Sequence, residues 1–219
     1  DLLLRDIHFD SAGASGSNRG AGAGGYATIK SGKLTLTGNY NYNYNTTPKS
    51  YSNSFRENFD SEDQKYLESN STSDYDGSFQ YGNLEASYEI DTLRLLTASF
   101  GMYGGSNDNN SDGLTTMWNA NRDVLAYQYG SLSDGSGSWY SMRGNVDYQR
   151  TSKKNKDRMI TLSYKISTQP QNSDYYTKYR DIKDPFELEI IEKFLLNNSH
   201  SDGKTNTTEH TFQVDYTTP

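Results

Sequence analysis

The residues with the strongest chemical pattern are Asp108, Asn110, Asp112 and Gly113, which read D-x-N-x-D-G. This is the head of a calcium loop, where alternate side-chain oxygens point at one cation and the glycine permits the turn. The twelfth position is Asn119, not the glutamate such a loop uses, and a polar loop tip accounts for the same residues. Asp74 and Asp76 before Gly77 read as a turn. Gly20–Gly25 is glycine-rich, but a phosphate cradle needs a preceding strand and a following helix. Here a strand pattern follows.

Nucleophilic chemistry has little support. There is no cysteine, and the three histidines His8, His200 and His210 are scattered. No G-x-S-x-G elbow occurs, and no pair of carboxylates is marked as acid and base. The expectation is a protein that is not an enzyme and that needs no cofactor beyond the calcium candidate. Aromatic residues are the better binding candidates: Trp118, Trp139, Tyr175, Tyr176 and Tyr179 fall in or beside segments that read as long loops. Flat rings there would stack on the faces of a ligand while Asn and Asp supply hydrogen bonds. Packing of the loops against one another is the competing role.

Composition limits what can position such residues. The chain has 219 residues, 21 Lys and Arg, 28 Asp and Glu, and a net charge of −7. That balance disfavours a nucleic-acid partner, which needs clustered cations. Only 32% of residues are hydrophobic and the mean hydropathy is −0.94, poor for a large core. Yet 19 tyrosines argue against disorder.

The elements are strands. From Lys33 to Tyr44, Leu34, Leu36, Tyr40, Tyr42 and Tyr44 alternate with Thr35, Thr37, Asn39, Asn41 and Asn43. Period two with one apolar and one polar side is a half-buried strand. The pattern recurs at 138–150 and 158–167, and more weakly at 20–29, 77–90, 96–103 and 209–216, giving about seven strands. Phe79 and Tyr81 fall out of phase with Leu84, which predicts a bulge or slip near Gly82 and Asn83. Residues 1–19 read as a flexible segment before a single unit over 20–219.

Short links (30–32, 91–95, 151–157) alternate with long ones (45–76, 104–137, 168–208) of about thirty residues or more, against a usual median of about 4–6. Within the last, Asp184 as N-cap and Pro185 at the first turn precede Phe186, Ile190, Ile191, Phe194 and Leu195 at helical spacing, predicting a short amphipathic helix to Asn197 or Asn198 that packs on loop neighbours. Tyr40, Tyr42, Tyr44, Tyr103 and Tyr140 lie toward the long-loop end, and Tyr88, Tyr148 and Tyr216 toward the short-turn end. Two aromatic bands around an aliphatic zone are what a bilayer asks of a barrel. The expected fold is therefore all-β: an antiparallel up-and-down meander forming part of a transmembrane barrel. Arg143, Asp147, Lys165 and the Asn39–Asn43 row would face its lumen. A soluble β-sandwich or adhesin-like module binding glycan or protein is the rival reading; it would bury Leu34, Leu36, Ile160 and Leu162 in a core.

The runs GKLTLTGNYNYNYN (Gly32–Asn45), GNVDYQR (Gly144–Arg150), RMITLSYKIS (Arg158–Ser167) and TFQVDYTTP (Thr211–Pro219) resemble strands of the outer-membrane β-barrel of TonB-dependent receptors, especially those of Bacteroidetes. The resemblance covers residues 20–219. It implies a bacterial outer-membrane location, a barrel of about 22 strands, a plug domain, an inner-membrane TonB complex as partner, and uptake of a nutrient such as a carbohydrate through loop-built binding sites. No plug, TonB box or signal peptide is present, so the chain reads as a segment of that barrel. An open sheet in lipid leaves two edges of unpaired backbone groups, each group costing several kcal/mol. Such edges must be covered.

Overall fold

The computed structural model describes residues 2–12, 19–59 and 61–218. Their strands form one antiparallel sheet in sequence order, an eight-stranded meander: β1 (Leu2–Ala12), β2 (Arg19–Ser31), β3 (Leu34–Glu57), β4 (Tyr66–Asp91), β5 (Arg94–Trp118), β6 (Leu125–Thr151), β7 (Met159–Lys183) and β8 (Ser199–Thr217). Seven match the strands expected from alternation. β1 lies where a flexible segment is expected, and it pairs with β2. Every described strand belongs to this sheet, so these residues do not form the two packed layers of a sandwich.

The register carries one face unbroken from strand to strand. A row perpendicular to the strands runs Leu34, Tyr88, Leu96, Tyr148, Leu162, Val214. The next runs Ile29, Leu36, Ala86, Ala98, Val146, Tyr164, Phe212. Further on come Leu84, Phe100 and Ile166, then Tyr40, Met102 and Met142. No described residue covers this apolar face: Leu84 is 52% exposed, Phe100 44% and Leu162 44%. The opposite face carries Thr37, Glu85, Ser99, Asn145, Lys165 and Thr211 in one row. Arg143, Asp147 and the Asn39–Asn43 row stand on this polar face, as the alternation requires.

No bulge interrupts β4 at Gly82. Its register with β3 is continuous from Tyr75 to Tyr88, and its register with β5 runs through the same residues without a shift. Phe79 and Tyr81 are therefore in phase and simply stand on the polar face. Tyr103 does too, and so leaves the aromatic band expected to contain it. The other band members agree. Tyr40, Tyr42, Tyr44 and Tyr140 stand at one end of the apolar face, and Tyr88, Tyr148 and Tyr216 at the other. Gln80 ties the first group together, bonded to the Tyr40 hydroxyl and donating to Tyr140 Oη at 3.2 Å.

The long links are mostly strand. β3 to β7 run 24 to 27 residues each, whereas about 9–11 suffice to cross a bilayer. Ser, Thr, Asn, Asp and Tyr fill the extra length on both faces, so the ladder continues where the alternation of polarity stops. The connections at this end shrink to residues 58–65, 119–124 and 184–198.

The last of these bears the helix, which is shorter than its apolar spacing suggests. α1 spans only Ile190–Lys193, and its N-cap is Glu189 with φ 53°. Asp184 is not the N-cap. Its carboxylate instead accepts from the backbone N–H of Leu188 at 2.9 Å and of Ile190 at 3.3 Å, closing a wide turn. Glu187, Glu189 and Leu195 adopt left-handed φ, which breaks the 3.6-residue period. Ile190 and Leu196 alone of this segment are buried, against Met117, Ala126 and Tyr127, while Leu195 stays 73% exposed. This cluster lies on the polar face at the far end of the hairpins and is the one buried apolar core among the described residues. No described helix is long and apolar enough to cross a membrane.

Candidate functional site

Asp108 to Gly113 do not form a loop. They sit inside β5 with Asp108 opposite Asp76 and Ser136, Asn110 opposite Asp74 and Asp134, and Asp112 opposite Thr72 and Leu132. Alternate residues of a strand are strung in a line, about 6.6 Å apart, and cannot wrap a cation. Their side chains are used otherwise: Asn110 Nδ2 donates to Asp74 at 2.9 Å, and Asp112 pairs with Arg180 at 2.6 Å. Asp74 and Asp76 are likewise inside β4 rather than at a turn. No group of three metal-ligating side chains occurs among the described residues.

The five candidate aromatics are all in strands and do not gather in one place. Trp118 and Tyr176 stand on the face that carries the apolar band, Trp118 at the hairpin tip beside Tyr66, and Tyr176 against His200. Trp139, Tyr175 and Tyr179 stand on the polar face. Tyr179 belongs to the distal cluster, edge-on to Tyr129.

Trp139 has partners that sequence reasoning missed. Its ring lies 6.2 Å from that of Phe79 and 6.0 Å from that of Tyr103, and Phe79 also meets Tyr81 at 6.5 Å. Four rings from three strands thus make a continuous aromatic shelf, with Phe79, Tyr81, Tyr103 and Trp139 each about two-fifths exposed (39%, 39%, 42% and 42%). The signal was present in the sequence, because strict parity places Phe79, Tyr81, Tyr103 and Trp139 on the polar face.

Glycines form the floor beside the shelf. Gly105 lies between Phe79 and Trp139 in the same row; a Cβ there would fall 2.1 Å from the Ser78 carbonyl oxygen. The next row outward runs Asn45, Gly77, Asn107, Gly137. Tyr75 folds down over Gly77, and Tyr175 lies over Gly135. The result is a depression of 270 Å³ lined by Asn43, Asn45, Tyr75, Phe79, Asn107 and Trp139, with Ser78 and Ser106. It is smaller than the ~300–1,000 Å³ typical of drug-sized ligands, so it suits one flat ring. Its lining is neutral: carboxamides and hydroxyls can donate and accept at the rim while rings offer π-faces.

No described residue covers the shelf, and it faces away from the apolar band. Neither core packing nor a membrane-interface belt therefore accounts for it. What it can do chemically is stack a planar or ring-shaped solute and hydrogen-bond its edge.

No known protein family matches the sequence, and no curated protein matches it. Among solved structures, Pseudomonas aeruginosa OpdQ is 8% identical over 96% of this chain and 88% of its own, with a TM-score of 0.16. Pseudomonas aeruginosa OccK10 (OpdN) is 7% identical over 96% and 98%, with a TM-score of 0.10. Overlaps this slight leave the sheet itself to carry the functional reading.

Proposed function

We propose that this chain forms part of the wall of an outer-membrane β-barrel receptor of the TonB-dependent kind, serving uptake of a nutrient. The observation that carries the reading is the apolar face. It runs in register across β2 to β8, is bounded by tyrosines at both ends, and is exposed on a sheet with a single layer. In water such a patch would aggregate; in a bilayer it is satisfied, and its extent from Leu34 to Tyr44 matches the ~9–11 residues of one crossing.

In this reading the polar face lines the lumen, and the long hairpins stand outside the membrane. The shelf of Phe79, Tyr81, Tyr103 and Trp139 lies at the level where lumen meets exterior, a suitable place to hold a ring-bearing nutrient such as a sugar. β1 and β8 are the sheet's edges, and closure requires further strands against them. A plug and the inner-membrane TonB complex would supply gating and energy, and this chain supplies wall and mouth.

The test uses the absence of cysteine. Leu84→Cys and Glu85→Cys place single thiols at neighbouring positions on opposite faces. In vesicles holding the closed barrel, a membrane-impermeant charged maleimide should label Glu85→Cys and spare Leu84→Cys, and both should label once the protein is unfolded in denaturant. Equal labelling of both by the charged reagent defeats the proposal.

A further inference from the structure

The short-turn end carries a second site, formed from cations. Arg94 and Arg150 face each other directly across the β5–β6 ladder, in a row with Ile160 and Tyr216. That row is one step beyond Leu96, Tyr148, Leu162 and Val214, on the same face as the apolar band. Like charges placed opposite each other weaken a strand pair. Asp91 answers Arg94 with a charged hydrogen bond of 2.7 Å. Arg150, Lys153 and Arg158 make no ion pair among the described residues, in a chain whose acids outnumber its bases by seven.

These groups surround one cleft. Arg94 with its partner Asp91, and Arg150, Lys153, Arg158 and Tyr216, line a space of 740 Å³ that opens beside Ile160 at the margin of the apolar face, so among the described residues three cations face it without a carboxylate of their own. Guanidinium groups match phosphate oxygens in paired hydrogen bonds, lysine adds a point charge, and a tyrosine hydroxyl is at home at headgroup depth. A phospholipid presents the matching pair, an anionic phosphate joined to acyl chains.

We propose that this cleft binds the phosphate of an anionic phospholipid in the leaflet at the short-turn end, with the acyl chains lying along Tyr148, Ile160 and Leu162. The inference rests on the membrane reading above. The lipid fixes the depth of the sheet and neutralises Arg150, the guanidinium of this facing pair that Asp91 does not reach.

Native mass spectrometry of the full chain, released from micelles containing phosphatidylglycerol or phosphatidylethanolamine with identical acyl chains, tests it. Phosphatidylglycerol should be retained preferentially. Arg150→Gln, and separately Lys153→Gln with Arg158→Gln, should each lower its apparent affinity about fivefold or more and leave the Asp91–Arg94 pair intact. Lys165→Gln, on the polar face, should leave retention unchanged. Equal retention of the two lipids, or indifference to the cleft variants, overturns the assignment. So does inorganic phosphate that binds without lipid and displaces phosphatidylglycerol at equal concentration, which would mark a free-anion site. If Leu84→Cys and Glu85→Cys still label asymmetrically, the barrel reading survives the loss of this one.

Discussion

Phe79 and Trp139 sit on strands separated by β5, and their rings still meet, with centroids 6.2 Å apart. The residue between them is Gly105, whose missing side chain leaves the space they share. Gly105→Ala would put a methyl carbon 2.1 Å from the Ser78 carbonyl oxygen, a backbone atom that cannot step aside without moving the ladder. The expected cost is about 1–3 kcal/mol, the range for overpacking a tight contact. Urea titration in vesicles, followed by Trp139 emission in a Trp118→Phe background, reads both the lost stability and the changed environment of the ring.

If the shelf holds a ring-bearing ligand, Trp139→Ala should weaken that ligand about tenfold, the worth of one stacking contact. Trp118→Phe should change nothing, because Trp118 stands on the other face. Gly137→Ala offers a separate route to the same result: its Cβ would meet Asn107 Oδ1 at 3.2 Å, the end of a side chain that can turn aside, and the Asn172 carbonyl oxygen at 3.6 Å, so it raises the floor at small cost to the sheet. Isothermal titration calorimetry with neutral oligosaccharides distinguishes these variants. Equal losses from Trp118→Phe and Trp139→Ala would remove the shelf as the binding surface.

What could be read from the sequence follows from which surfaces differ in their surroundings. Between Leu34 and Tyr44 the two faces of β3 carry different chemistry, and period two is plain. Beyond Tyr44 both faces carry Ser, Asn, Thr and Tyr, so the same strand continues to Glu57 without a period to announce it. The Asp108–Gly113 motif looks like a loop for the same reason, although β5 continues through it to Trp118. Phe79 and Tyr81 fall out of phase with Leu84 and so suggest a slip, yet the register is continuous and alternation alone puts them on the polar face. α1 failed for want of length, since four residues have no helical stability apart from what Ile190 gains by burial.

The two faces should differ sharply in their tolerance of charge. Phe100→Arg lies near the middle of the apolar band and should cost about 2–4 kcal/mol in a bilayer, the range for arginine at the midplane of a barrel's lipid face. Ser99→Arg, its neighbour, stands opposite Glu85 on the polar face and should fall within about 0.5 kcal/mol of the parent, as surface changes do. Equilibrium urea unfolding in vesicles measures both. Equal destabilisation would show that the faces share one environment.

Acid should loosen the β4–β5 turn. Asp91 accepts from Arg94 Nε at 2.7 Å and from the Leu93 backbone N–H at 2.9 Å, and the Arg94 hydrogen bond, followed by that from Leu93, holds its carboxyl below the usual carboxylate value. A carboxylate with a depressed folded-state pKa contributes its stability in full above the unfolded value of about 3.9. That contribution is lost as pH falls further, through the folded value. NMR titration of the Asp91 side chain should give a midpoint below that of an unstructured aspartate. Asp91→Asn should abolish the acid-dependent change in the Leu93 amide signal; its persistence in the variant would assign the change to another group.

The distal cluster should open on its own. Ile190 is 1% exposed and is the deepest side chain of the connection between β7 and β8, yet its helix has a single turn and no side-chain cap. Local stability there rests on Ile190 and Leu196 against Met117, Ala126 and Tyr127, with Phe194 tilted onto the Tyr127 ring at 5.5 Å. Burial also pushes the Tyr127 phenol up, a consequence of the same packing. Ile190→Ala removes the central contact and should cost about 2–5 kcal/mol locally. Because the cluster shares no residue with the apolar band, that cost should not reach the band. Hydrogen exchange should therefore accelerate over residues 184–198 and at Met117 and Tyr127, and remain unchanged at Leu84, Phe100 and Leu162. Tyr179 gives an internal check, since its amide donates to Asn198 Oδ1 at 2.8 Å and is released only if the connection lifts. Faster exchange at Tyr179 together with unchanged exchange at Leu84 would establish the connection as a separately opening unit over the polar face; uniform acceleration along β7 would make it part of the sheet's own cooperative fold.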